Sequence, residues 1–355
     1  MRTLTLHIGT HKTGSTSLQG FLFRNKERLR AQGYYFPTEG SYYWPQHNGH
    51  SGLAHALAGT RPSWLGAEIK ILSPEASLAE LHGHIRSENA DHVLISSEHL
   101  FLRLEPKVLK AAFEHLGYQL KVLVFLRRQD EFLESRYAQL VKTGRICQGI
   151  SAFVDTELND TTSYSHYYHR LAALAKVFGH KNIVLKSVKA DQPQTQLYQD
   201  FLEAVELSFD PNYSLPPVRN PSPPAELILI METLQRHSAG DESRHRTLNK
   251  QLLASAGFSD QKTTLLSSEW AQRILDQFAE ENRRIAREFL GQESLFDSLD
   301  PTLSNPCAAP SQQALAEIGI PLWGALHREN SELHDKIKTL KAKIQHYQES
   351  MNHDQ

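Results

Sequence analysis

Two glycines, one lysine and a run of hydroxyls near the start of the chain are spaced to hold an anion. They occur in Gly9-Thr10-His11-Lys12-Thr13-Gly14-Ser15-Thr16, between an apolar run and a helical pattern. A strand, a glycine-containing loop and a helix N-terminus converge free N–H groups and the positive end of a helix dipole on one point. Lys12 adds a full charge. Gly9 and Gly14 keep the five-residue step of a nucleotide P-loop and Thr16 keeps its hydroxyl, but Ser15 stands where that loop has its lysine. A small-molecule kinase is therefore the disfavoured reading; no convincing acidic metal partner accompanies the loop. A second pair lies at Arg127 and Ser135, eight residues apart. Arginine presents a fork of donors that matches phosphate oxygens, and serine adds a neutral donor.

The elements that must position these groups follow from periodicity. Strands are predicted over Thr3–Ile8, His92–Ser97, Lys121–Leu126 and Asn182–Lys186, the third almost wholly apolar, as a strand covered on both faces should be. Helical patterns fill the intervals at Ser73–Asn89, Glu105–Leu116, Glu131–Lys142, Ser163–Phe178 and Gln192–Val205, after a first helix from about Ser15 through Leu29. Two more follow at Pro224–His237 and Ser267–Leu290. Strands alternating with helices predict an α/β fold: a P-loop-like three-layer domain with a mostly parallel central sheet. In such sheets ligands bind where strands end, and each polar cluster named here begins where a strand stops. The segment Tyr42–His55 is predicted to be a polar, aromatic loop, with His50 as its candidate substrate contact. His47, His50 and His55 lack acidic ligands nearby, so no metal is expected there.

The order Lys12-Thr13-Gly14-Ser15-Thr16 resembles the 5′-phosphosulfate loop of sulfotransferases that use 3′-phosphoadenosine 5′-phosphosulfate (PAPS). The fuller string from His7 to Gln19 is similar to bacterial members that sulfate glycans. Arg127, Ser135 and Tyr137 resemble the same family's R-x7-S-x-Y signature for the 3′-phosphate, and Glu281–Leu290 resembles its last helix. The resemblance spans roughly residues 1–290. Many relatives have Asp-Pro after the arginine where this chain has Arg128-Gln129, which alters the turn rather than the binding group. The resemblance implies that Lys12, Thr13, Gly14, Ser15, Thr16, Arg127 and Ser135 hold PAPS. It implies that Lys12 steadies the leaving phosphate and that Glu98 takes the acceptor's proton, with His99 and His50 as rival bases. The implied reaction moves a sulfuryl group to a hydroxyl or amine of a carbohydrate or glycolipid, with no metal required. The alternatives are the kinase and a non-catalytic protein of the same fold.

The chain has 355 residues, 40% hydrophobic and 22% charged, with a formal net charge of −2. That is ordinary globular composition and makes no case for a nucleic-acid partner. Cys147 and Cys307 are far apart and in no metal spacing, so both are expected to be reduced. With no apolar run long enough to span a membrane, a cytoplasmic location is expected. The expected division is a catalytic domain over 1–293, a Pro- and Ser-rich linker over 294–320 and a coiled-coil helix over 321–351. In that helix Leu326, Leu333 and Leu340 fall at d and Ile337 and Ile344 at a, with Asn330 as a single polar a residue. This pattern favours two parallel strands, hence a homodimer.

Overall fold

A computed structural model describes residues 1–44, 49–62, 65, 70–146, 148–189, 192–217, 223–237, 242–255, 264–299, 332–333, 335–341 and 343. The chain divides into two compact units. The first comprises Met1–Arg136, Val154–Pro221 and Glu269–Asp300; the second comprises Tyr137–Phe153, Ser222–Ser268 and Pro301–Gln355.

The first unit is built on five parallel strands, β1 (Thr3–His7), β2 (Tyr34–Tyr35), β3 (His92–Ser96), β4 (Gln119–Arg127) and β5 (Ile183–Val188), in the order β2-β3-β1-β4-β5. Its helices are α1 (Ser15–Arg24), α2 (Lys26–Ala31), α3 (Ser51–Leu57), α4 (Pro74–Glu88), α5 (Glu98–Arg103) and α6 (Pro106–Ala111). They continue with α7 (Gln129–Lys142), whose second half enters the other unit, then α8 (Ile150–Asn159), α9 (Tyr167–Phe178) and α10 (Gln194–Ala204). The α/β class and the parallel sheet are as the sequence predicts. Leu4, Leu6, Val122, Val124, Phe125 and Leu126 of the central strands are wholly buried, as strands covered on both faces should be, whereas the edge strand β5 alternates buried and partly exposed residues. β1 runs on into segments that pair to its left and β4 into β5 on its right, so the sheet's switch point lies between these two neighbours. That is where a parallel sheet opens a cleft.

Two local predictions change, and one strand is added. The first helix breaks at Asn25, whose side chain donates to the Phe21 carbonyl at 2.8 Å and the Ser214 carbonyl at 2.9 Å, while Ser214 N–H donates back at 2.8 Å. A buried amide satisfied by a distant loop overrides helix periodicity. The predicted loop Tyr42–His55 instead closes into α3 from Ser51, with Leu53 and Ala54 in the core. Tyr34–Tyr35 forms an edge strand beside β3 that is too short to show alternation.

The second unit holds α11 (Ala225–His237) and α12 (Glu242–Ser255). Gln235 and Asn249 donate side-chain N–H groups to the Val141 carbonyl at 2.9 and 2.7 Å, capping the last turn of α7. The chain continues with α13 (Ser268–Ile285), nearly all of it in the first unit, extended by a π turn over Ala286–Leu290. Residues 332–333 and 335–341 are helical; Leu326, Asn330, Ile344, Tyr347 and Met351 lie outside the described residues, as do Cys147, Cys307 and His47.

Candidate active site

The loop that carries Lys12 grows directly from β1. Ile8 N–H donates to the Leu123 carbonyl at 3.0 Å and Thr10 N–H to the Phe125 carbonyl at 3.2 Å, so the chain keeps following β4 after the strand ends. Thr13 Oγ1 donates to the Thr10 carbonyl at 2.7 Å and closes the loop. Lys12 sits in the left-handed region at φ 68° and Gly14 at φ 83°, and Gly14 is the residue before the first turn of α1. A Cβ on Gly14 would lie 2.6 Å from Leu197 Cδ2 of α10, so only glycine allows both the turn and this approach. The N-terminus of α1 has no side-chain cap, and Ser15 Oγ is buried without a hydrogen-bond partner. A buried hydroxyl left open beside uncapped N–H groups suits an anionic ligand. Thr16 is exposed at the same turn.

Arg127 ends β4 and reaches across the switch point. Its Nη1 donates to the Lys12 carbonyl at 3.1 Å, and its Nε donates to Glu131 Oε2 at 3.1 Å. Tyr167 OH donates to the Arg127 carbonyl at 2.9 Å, fixing the backbone from α9. Ser135 lies partly exposed on α7 beyond it. Arg128 turns away into a paired grip on Asp130 at 2.8 and 2.9 Å. The departure at Arg128-Gln129 has its own compensation: Gln129 and Asn282 of α13 exchange amide hydrogen bonds at 2.7 and 3.0 Å. In the same stretch, Glu281 accepts from Tyr168 N–H at 2.6 Å at the start of α9. The last-helix string therefore braces the elements behind Arg127. Tyr137 is buried against Phe153, ring centroids 5.5 Å apart.

Glu98 opens α5 at the end of β3, with Ser97 N–H held by the His7 carbonyl at 3.0 Å. Gln19 Nε2 of α1 donates to Glu98 Oε2 at 3.3 Å and to Ser96 Oγ at 3.2 Å, and Ser96 Oγ bonds His7 Nδ1 at 2.8 Å. His11 meets His99 edge-on at 5.5 Å; His99 lies 5.0 Å from His55, which stacks on Trp44 at 5.3 Å. Burial pushes the Glu98 carboxyl up, but the His99 and His11 imidazoles, its own backbone N–H and the Gln19 amide outweigh it and leave it below the usual carboxylate value. Burial lowers His11, against the pull of Glu98, and His99, Arg136 and Lys12 press it the same way, so it is neutral at pH 7. The arrangement is an ionised carboxylate beside the neutral His11 imidazole, next to the loop that carries Lys12.

The structure thus brings Lys12, Thr13, Gly14, Ser15, Arg127, Glu98 and His99 to adjacent strand ends. His50 lies wholly buried behind β3: its Nδ1 accepts from Ser96 N–H at 3.0 Å, and burial lowers it to about 4. His11, Gln19, Ser96 and His7 join the cluster without having been singled out. Nothing in their spacing marks them; the pairing of His7 with Ser96 across β1 and β3 does. Among the described residues no group of three or more His, Cys, Asp or Glu is placed to hold a metal ion. Among them too, no helix is long and apolar enough to cross a membrane.

No family model matches the chain. A curated protein of Archaeoglobus fulgidus, described only as uncharacterised, is 25% identical over 207 residues, 58% of this chain. The chain spans about 55% of that relative's length. Among solved structures, a sulfotransferase from Alicyclobacillus acidocaldarius aligns at 18% identity and TM-score 0.40, covering 62% of this chain and 87% of that one. The sulfotransferase domain from the curacin biosynthetic pathway aligns at 13% identity and TM-score 0.33, covering 79% and 98%.

Proposed function

We propose that the chain is a PAPS-dependent sulfotransferase acting on a hydroxyl or amine of a carbohydrate or glycolipid. The observation that carries this reading is the 3.1 Å bond from Arg127 to the Lys12 carbonyl, which joins two phosphate-binding motifs lying 115 residues apart. The open Ser15 hydroxyl and the uncapped start of α1 fit the 5′ side of such a donor, and Arg127 with Ser135 fits its 3′-phosphate. PAPS, when bound, supplies an activated sulfuryl group. Lys12 and the N–H groups of the loop neutralise charge that builds on the leaving phosphate. Glu98 accepts the proton that the acceptor loses as its oxygen or nitrogen bonds to sulfur. The site needs no metal in this reading, because the cation and the helix end supply the positive charge.

Two measurements test it. Adenosine 3′,5′-bisphosphate should raise the melting temperature more than ATP with Mg²⁺ does, since only the first places a phosphate at Arg127. Radiolabelled sulfate should pass from PAPS to one or more of a panel of glycans and glycolipids. Stabilisation by ATP–Mg²⁺ alone would move the assignment to a kinase; bisphosphate binding without transfer to any acceptor would favour a non-catalytic protein of the same fold.

A further inference from the structure

Gln19 is almost wholly buried, on the inward face of the helix whose N-terminus forms the anion loop. Its amide meets three groups of β3 and α5: the Ser96 carbonyl at 3.5 Å, Ser96 Oγ at 3.2 Å and Glu98 Oε2 at 3.3 Å. Which way the amide points follows from its neighbours. His7 is enclosed by Phe125 and Phe201, 5.5 and 5.9 Å away edge-on, and packs 3.2 Å from where a Cβ on Gly9 would stand. An imidazole in that setting is neutral, so one ring nitrogen accepts. With Nδ1 as the acceptor, Ser96 donates its hydroxyl hydrogen to His7, and its oxygen can then only accept a hydrogen bond from the Gln19 amide. The NH2 group then faces Ser96, and its second hydrogen points to Glu98. The opposite orientation would set the amide oxygen against a carboxylate.

We propose that Gln19 is the positioning residue of this site, tying the aim of the Glu98 carboxylate to the helix that carries the anion loop, with Ser96 and His7 fixing the sense of the amide. The inference rests on the reading of Glu98 as the base. It explains why a glycine stands at position 49: a Cβ there would lie 2.6 Å from Gln19 Cδ. It also couples base and donor loop, because α1 begins at that loop and carries Gln19, whose amide holds the Glu98 carboxylate of α5. The charged or titratable groups around Glu98 are His7 from β1, His11 and Lys12 from the loop, His99 from α5 and Arg136 from α7, with Lys12 and Arg136 acting through His11. Gln19 is the neutral donor among them.

The test uses the full-length protein and three variants: Gln19→Met, Gln19→Glu and Gly49→Ala, the last displacing the amide without changing its chemistry. Difference infrared spectroscopy against Glu98→Gln isolates the Glu98 carboxylate and gives its titration midpoint without turnover. Gln19→Met should raise that midpoint by about one pH unit, as losing a hydrogen bond to a charged group implies, and Gln19→Glu should raise it further. The acid limb of kcat should move the same way, kcat should fall roughly 10- to 100-fold, and the Kd for adenosine 3′,5′-bisphosphate should stay nearly constant. Gly49→Ala should shift the midpoint in the same direction. An unmoved midpoint in variants that still bind the bisphosphate overturns the proposal. Failure of the base assignment looks different: Glu98→Gln would keep full turnover while the infrared shift persisted.

Discussion

Lys12 holds a left-handed backbone that costs a side-chain-bearing residue about 1–2 kcal/mol, and its carbonyl is tied down by Arg127. Arg127 therefore has two tasks in the proposed reaction, gripping the donor's 3′-phosphate and fixing the residue that steadies the leaving group. Lys12→Ala should lower turnover by about 10² or more while weakening bisphosphate binding less, the pattern of a lost transition-state charge. Arg127→Ala should raise the donor KM and also lower kcat, since the loop carbonyl loses its donor. Steady-state kinetics separates the two. A change confined to KM would show that the link to Lys12 is dispensable, and normal turnover in Lys12→Ala would remove it from the chemistry.

At the scale of elements, the cradle depends on how closely α1 approaches α10. Gly14→Ala meets two obstacles, a positive φ and a Cβ 2.6 Å from Leu197 Cδ2. The first alone is worth about 1–2 kcal/mol, and overpacking adds a similar amount. Calorimetry should show a lowered Tm, and titration should show lost bisphosphate affinity. Adding Leu197→Ala to that variant should clear the clash but not the backbone cost, so affinity should recover only in part. Full recovery would mean that the left-handed turn is unimportant. The brace behind Arg127 works similarly: Gln129→Leu strands the half-buried amide of Asn282, a loss of about 1 kcal/mol that urea unfolding would measure.

For the whole molecule, buried neutral histidines set the acid limit. His7 and His50 are each lowered by burial from 6.5 to about 4. The unfolded chain binds their protons first, so their contribution is full above pH 6.5 and is lost as pH falls toward 4. Urea midpoints should decline steadily between those values; a midpoint flat down to pH 4.5 would refute this. In the tail, Leu333, Ile337 and Leu340 lie about half exposed on described helical turns, which accords with an unfilled a/d seam. We propose a homodimer through this helix. Truncation after about residue 315 should give a monomer that still binds the bisphosphate. A dimer that survives truncation would assign the interface to other residues, and loss of folding would show that the helix packs on its own chain.

What the sequence determined by itself was whatever depends on neighbours along the chain. The parallel sheet was legible in the apolar run Lys121–Leu126, and the turn between β1 and α1 in the spacing of Gly9, Lys12 and Gly14. These signals survive because strand burial and loop turns are imposed within a few residues. Tertiary structure alone decided which polar groups share a site. His50 reads in sequence as part of a polar loop, yet it is wholly buried with its Nδ1 bonded to Ser96 N–H of β3; Gln19 reads as one more residue of an amphipathic helix, yet it meets Glu98, 79 positions away. Hydrogen bonds of that kind leave no periodic trace, since they are set by the register of β1 against β3 and the depth at which α1 packs.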